Sequence, residues 1–503
     1  MFDRVLSRKA GRLATVFGLA SMLVFVTTGQ EIGHLGIDSD PTPLVQARRA
    51  SKRRTVTAVR TVAVLPATGG GGRVVTTPGT RPVGGPPTSS FDELMATAEA
   101  ASKDGQYEPA LESYRRALQA RPDSIEAKLG LAETLLDARK YGDAEQEFRQ
   151  LLRVKPQLPE AQRGLGDTVY ELKRYSDAVA AYQTAAQGGL NDAELYNNYA
   201  NSLFRTGTVE NKSRAIEYYR KAIQLQPDWP SAYAGLANLL RTTRGSDGKL
   251  QLTEALAAAK KAVDLNANFP LGHSILGRVY ADLGDFTRAG AEGQRAIELA
   301  PKDPFVFLNM GGIYYAQRRY PEAEQAYLKS ISLDPQWAFP YHSLGTLYLN
   351  SMNRLPDASM QFSKAILLEP NSPTLRTSFG ASRARSGDYN EAANQFKKAI
   401  EIDPKYIAAY HNLGVVYAIN RRYPEALEAF KKATELDPTR GEYFVALGDI
   451  YKRMGRDKES QEAFQRASAL GAKVEDPGKG ESEEKGKKNE KSEKTDKKKK
   501  TKP

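Results

Sequence analysis

The stretch IAAYHNLGVVYAINRRYPEALEAFKKATELDPTR, residues 407–440, reads as two amphipathic helices and the turn between them. Tyr410, Leu413, Gly414 and Tyr417 recur at steps of three and four and so share one helical face. Ala426, Phe430 and Ala433 do the same on a second helix. Gly414 and Ala426 are small, which lets the two helices approach closely. Tyr417, Tyr423 and Phe430 are large enough to fill the space beside and between pairs. Asn420, Arg421 and Arg422 make the short turn, and Pro438 disfavours helix at Asp437, which resets the chain direction. One such pair cannot cover its own apolar faces, so it must stack on others like it.

The same grammar runs outward along the chain. Leu131, Ala132, Leu135, Ala144, Phe148 and Pro156 repeat it, as do Met310, Gly311, Tyr314, Ala323, Tyr327 and Pro335. Leu344, Gly345, Tyr348, Ala358, Phe362, Ala365 and Pro370 carry it again, and the prolines at 301, 335, 370, 404 and 438 are spaced by 34 or 35 residues. Eleven units begin at Phe91, Ile125, Pro159, Ala193, Pro230, Pro270, Pro304, Ala338, Pro373, Ile407 and Gly441. The pattern resembles the tetratricopeptide repeat family, with Tyr410 where tryptophan is usual. The resemblance implies an all-α fold, a right-handed superhelical solenoid of helix-turn-helix units over residues 91–472. The spacing between the two helices lengthens from Leu203 to Ala215 and from Leu240 to Ala255, so packing is expected to be least regular near residues 205–267. Asp457 and Ser460 replace the usual Tyr and Ala in the eleventh unit, as suits a polar end cap.

The flanks differ in composition. The net charge is +12, of which +8 lies in residues 1–90 and +4 in residues 473–503, leaving the repeats neutral. The charge therefore argues for unspecific contact of the flanks with anionic membrane or cell-wall polymer rather than specific nucleic-acid reading. Arg4, Arg8, Lys9 and Arg12 precede an apolar run from Leu13 to Val26, the pattern of a signal peptide or an N-terminal membrane anchor over residues 1–29. Either reading places the remainder outside the cytoplasm, periplasmic or otherwise exported. Residues 30–90, rich in Gly, Pro, Thr and Arg, read as a disordered linker, and residues 473–503 as a disordered Lys/Glu tail. The chain has no cysteine, which removes disulfides, zinc knuckles and thiol nucleophiles.

The resemblance implies that the first helix of each unit lines a groove for other polypeptides. At the positions that line it stand Glu126, Glu160 and Glu194, then the amides Asn197, Asn198, Asn201 and Asn238. Phe305, Leu308, Tyr315, Phe339 and His342 follow as an apolar stretch, and Asn309 and Asn412 share the register of Asn198. Acids in a first helical turn also complement the helix dipole, so Glu126, Glu160 and Glu194 have two readings. The aromatic stretch likewise could line the groove or pack against a neighbouring unit. The ligand expected is a peptide segment, basic toward the acidic units and apolar beyond them. No nucleophile elbow, phosphate loop or His-Glu-x-x-His is present, and His342 and His411 stand a whole unit apart from one another. The sequence thus reads as a non-enzymatic scaffold without cofactor. The alternative is a membrane- or wall-associated organiser acting through self-association and its basic flanks.

Overall fold

The computed structural model describes residues 90–206, 209–243 and 250–474; the calls for signal or anchor, for the linker up to residue 89, and for the tail from 475 lie outside these residues. Every helix pairs with the next. The first seven hairpins are α1 (Phe91–Lys103) with α2 (Tyr107–Ala120), α3 (Ile125–Asp137) with α4 (Tyr141–Val154), α5 (Pro159–Glu171) with α6 (Tyr175–Gln187), α7 (Ala193–Thr206) with α8 (Val209–Leu225), α9 (Pro230–Leu240) with α10 (Leu252–Leu265), α11 (Pro270–Asp282) with α12 (Phe286–Leu299), and α13 (Pro304–Ala316) with α14 (Tyr320–Leu333). Four more follow: α15 (Ala338–Asn350) with α16 (Leu355–Leu368), α17 (Pro373–Arg385) with α18 (Tyr389–Ile402), α19 (Ile407–Ile419) with α20 (Tyr423–Leu436), and α21 (Gly441–Arg453) with α22 (Asp457–Ala469). All eleven expected unit starts coincide with the first residue of a first helix.

The helices divide into two compact blocks, the first ending at Pro335 and the second starting at Gln336. Within each block, the first helix of a hairpin packs on its own partner, on the second helix of the hairpin before and, less extensively, on the first helix of the next hairpin, whereas second helices touch one another least. The first helices therefore form an unbroken row in each block.

Glycine under an aromatic ring sets the close approach inside a hairpin. A Cβ added to Gly414 would lie 2.7 Å from the Phe430 ring, and one on Gly311 would lie 2.5 Å from Tyr327. The turns repeat too. Arg139, Lys173, Arg318, Asn353 and Arg421 hold positive φ, a left-handed conformation that glycine adopts at the equivalent residue 387. The residue that follows staples the turn in hairpins seven, eight, ten and eleven. Arg422 donates to Glu425 at 2.9 Å and lies 4.5 Å over the Tyr417 ring. Arg319 does the same with Glu322 and Tyr314, Arg354 with Asp357 and Tyr348, and Arg456 with Glu459 and Tyr451.

The irregular region falls where the spacing placed it. Helix α8 is drawn out to 17 residues and α9 is cut to 11, while most other helices have 13 or 14. At the end of the second block, Ser460 is buried and donates its hydroxyl to the Gly448 carbonyl at 2.9 Å, so this polar substitution closes a hydrogen bond inside the hairpin.

Candidate functional site

The row of first helices carries every residue expected to meet a ligand, and burial sorts them. Glu126 is exposed; Glu160, Glu194, Asn201 and Tyr315 are half-buried. Asn197, Asn198, Asn238, Leu308, Asn309, His342 and Asn412 are buried, as are Phe305 at 3% and Phe339 at 8% exposure. These aromatic rings are buried within the packing of their own blocks.

The acids also answer to local chemistry. The Glu126 carboxylate accepts from the Ser124 hydroxyl at 3.0 Å, beside the cap that Ser124 makes to the Ala127 N–H. Glu194 is paired with Arg163 at 3.5 Å, and Asp192 shares that guanidinium at 3.1 Å.

The amides form a closed network within the third and fourth hairpins. Asn197 donates to Asn198 at 3.1 Å, Asn198 donates to Asp167 at 3.1 Å, and Tyr182 donates to the same Asp167 oxygen at 2.7 Å. Burial and that carboxylate push the Tyr182 hydroxyl pKa well up, so it stays a donor. Asn201 accepts from Tyr219, and Asn309 donates to the Phe305 carbonyl of its own helix at 3.2 Å. Asn238, one hairpin further along, is not joined to Asn197 or Asn198. Beside this network Tyr218 stacks on Tyr199 and on Tyr196, with centroids 4.4 and 5.6 Å apart. Lys221 donates to the Tyr196 hydroxyl at 2.6 Å.

Histidines are used in two ways. His273 sits between the Glu292 carboxylate at 2.6 Å and the Ala267 carbonyl at 3.0 Å, and the bond to Glu292 raises its pKa. His342 faces the Ser378 hydroxyl at 2.9 Å, and His411 lies against Phe430 and Tyr443. Burial pushes both down to about 4, so both are neutral at pH 7.

One cluster escaped the sequence reading. Arg241 of hairpin five, fully buried, donates its Nε–H to Asp282 of hairpin six at 2.6 Å. Arg278, a turn before Asp282, is buried next to them. A signal was present: Arg278 is the ninth residue of α11, in the register of Asn201 and Asn238, and Arg241 directly follows α9.

Among the described residues no helix is long and apolar enough to cross a membrane.

Family profiles match most of the repeat region. Those described as tetratricopeptide repeat cover residues 101–167, 164–230, 249–304, 304–337, 407–440 and 441–470, and one described as TPR repeat covers 380–420. The human protein O-mannosyl-transferase TMTC3 is 26% identical over 212 residues, 42% of this chain and 20% of that protein. The small glutamine-rich tetratricopeptide repeat-containing protein 2 of Mycosarcoma maydis is 40% identical over 81 residues, 16% of this chain and 23% of its own. The type IV pilus assembly protein PilF of Pseudomonas aeruginosa is 27% identical over 158 residues, 28% of this chain and 62% of its own. Each match spans less than two thirds of the relative. Among solved structures, yeast Tom70 aligns with a TM-score of 0.44 and 18% identity over 76% of this chain and 92% of the other. The eleven hairpins, their glycine-under-ring packing and these profiles lead to one assignment: the chain belongs to the tetratricopeptide repeat family.

Proposed function

We propose that this protein is a non-enzymatic scaffold that binds peptide segments of other proteins along the first-helix row. The observation that carries the reading is the acidic end of the first block, where Glu126 and Glu160 stay accessible at one register of successive first helices. Such a register selects basic residues in a ligand by charge complementarity. In this reading the apolar run Leu13–Val26 exports the chain, as a signal or an anchor, and the partner is met outside the cytoplasm.

Phe305 and Phe339 are too buried to serve as controls, since polar replacements would undermine the fold. The test is a crosslinking capture with the full chain as bait and the Glu126→Lys/Glu160→Lys double variant as control. A defined set of proteins lost with the variant supports the scaffold. Recovery of the same set by both forms overturns the acidic register as the binding feature.

One observation favours the alternative, self-association. Met360 and Leu367 on α16 are 53% and 81% exposed and stand seven residues apart, on one helical face. Sedimentation of the full chain against Leu367→Lys separates the readings. A dimer that becomes a monomer supports the organiser, and an unchanged monomer removes it.

A further inference from the structure

Among the described residues, Arg278 has neither an ion pair nor a hydrogen bond. Its side chain is 7% exposed and its Nε–H is buried without an acceptor. The nearby Asp282 carboxylate is engaged by Arg241. Burial, and then Arg241, bring the Arg278 pKa down to about 10, and Asp282 acts the other way. The group is therefore still ionised at pH 7. A buried, ionised guanidinium whose Nε–H has no acceptor is an unfinished site rather than a finished structural element.

The space beside it is made by an absence. A Cβ on Gly312 would lie 1.2 Å from Arg278 Nη1, so the guanidinium fills the place that any other residue would need. Gly312 is the ninth residue of α13, as Arg278 is the ninth of α11. That register carries Glu99, Glu133 and Asp167 in the first three hairpins, then Asn201 and Asn238, then Arg278. Along one row of first helices the sign of charge thus reverses, from three carboxylates through two amides to an arginine.

We propose that Arg278 binds a carboxylate of a peptide lying along the first-helix row. This rests on the peptide-binding reading above and deepens it: the peptide carries an acid where it crosses hairpins five to seven and bases toward the first three. The guanidinium presents paired N–H donors to the two carboxylate oxygens, a fork geometry that a lysine cannot reproduce. Charge reversal along the row also sets the direction in which the peptide lies.

The test uses the full chain and a positional-scanning library of fluorescein-labelled octapeptides, made both as free acids and as C-terminal amides. Binding is read by anisotropy against the wild type, Arg278→Met, Arg278→Lys and Gly312→Ala. The expected result is that the best peptides lose about tenfold or more on Arg278→Met and on exchange of one Glu for Gln. Arg278→Met should melt no lower than the wild type, because an unpaired buried charge is removed. Arg278→Lys is expected to restore only part of the binding. Gly312→Ala, which keeps the arginine and displaces it, is expected to weaken the same peptides. Loss with C-terminal amides instead of Glu exchange assigns the carboxylate to the chain end and supports the site equally. Peptides that bind Arg278→Met as tightly as the wild type overturn the site and leave the scaffold reading intact. Absence of binding by every peptide overturns both. Displacement of bound peptide by inorganic phosphate but not by acetate overturns the carboxylate in favour of a phosphate.

Discussion

Hairpins four and ten share one architecture and are cemented differently. In the first block, hairpin four is held by hydroxyls and amides: Tyr199 and Tyr218 stacked, Tyr219 on Asn201, and Asn198 on Asp167 of the hairpin before. In the second block, hairpin ten is held by Phe430 under Gly414, with Val415, Val416 and Leu427 closing a dry cluster. The polar cement fixes each group by partners that must all be present, and the cost of an error is a stranded buried donor. The apolar cement depends on shape alone. Uneven turns and unpaired charge sit in the block built the first way. The most regular turns and two neutral histidines sit in the block built the second way.

The largest test of this contrast is Asp282→Asn. It removes the carboxylate that the buried Arg241 grips and should cost about 3–5 kcal/mol. Hydrogen exchange in α9 and α11 reads the loss, and unchanged protection there would show that the polar cement does not bear on stability. Next comes pH, where the histidines give the two blocks opposite responses. His342 and His411 have depressed pKa values, so their contribution is complete above pH 6.5 and is lost as pH falls toward about 4. The slope is about 1.4 kcal/mol per pH unit for each. His273 is raised by Glu292, so its contribution is complete below pH 6.5 and is lost as pH rises through the raised value. Protection from exchange, followed from pH 8 to 4, should therefore strengthen in α11 before it weakens in α15 and α19. A parallel response in the three helices would break the contrast.

Smaller effects sharpen it. Gly414→Ala drives a methyl into the Phe430 ring and should cost about 1–3 kcal/mol, as should Gly235→Ala, whose Cβ would lie 2.5 Å from Tyr219. Equal losses by thermal melts would show that close approach within a hairpin is common to both blocks, whatever cement surrounds it. Smallest is Arg421→Gly. It relieves a left-handed non-glycine residue and should raise stability by up to about 1 kcal/mol, with a fall in melting temperature as the contrary result.

The fold was legible because its signals are local. A unit start such as Pro373 or Ile407 is written in proline, glycine and aromatic spacing within 34 residues, and each coincides with a helix start. The lengthened turns after Leu203 and Leu240 were legible for the same reason. The site was less so. Periodicity places Phe305 and Phe339 on the first-helix face but does not say whether their surroundings bury them, and they do. Asn198 reads as a free amide until Asp167, from another hairpin, is seen to engage it, and Asn197 is in turn engaged by Asn198. Arg278 is the sharpest case. What makes room for its guanidinium is a missing side chain at Gly312, one repeat away, and an absence at a distance leaves no mark on the residue itself.

The arginine that staples the turn has a consequence for how such a chain can change. Arg422, the tyrosine under it and the glutamate it grips all lie between Tyr417 and Glu425, and the same holds for Arg319, Arg354 and Arg456 in their own hairpins. The contact is complete before any neighbour arrives. A hairpin copied, deleted or shuffled as a whole carries its turn intact and leaves no severed partner behind. Pairs such as Lys140–Glu108 and Arg220–Glu254 join successive hairpins and would be cut by the same event. Repeats with the enclosed staple are thus the natural currency of lengthening, and those tied across hairpins mark where the order of neighbours has been fixed.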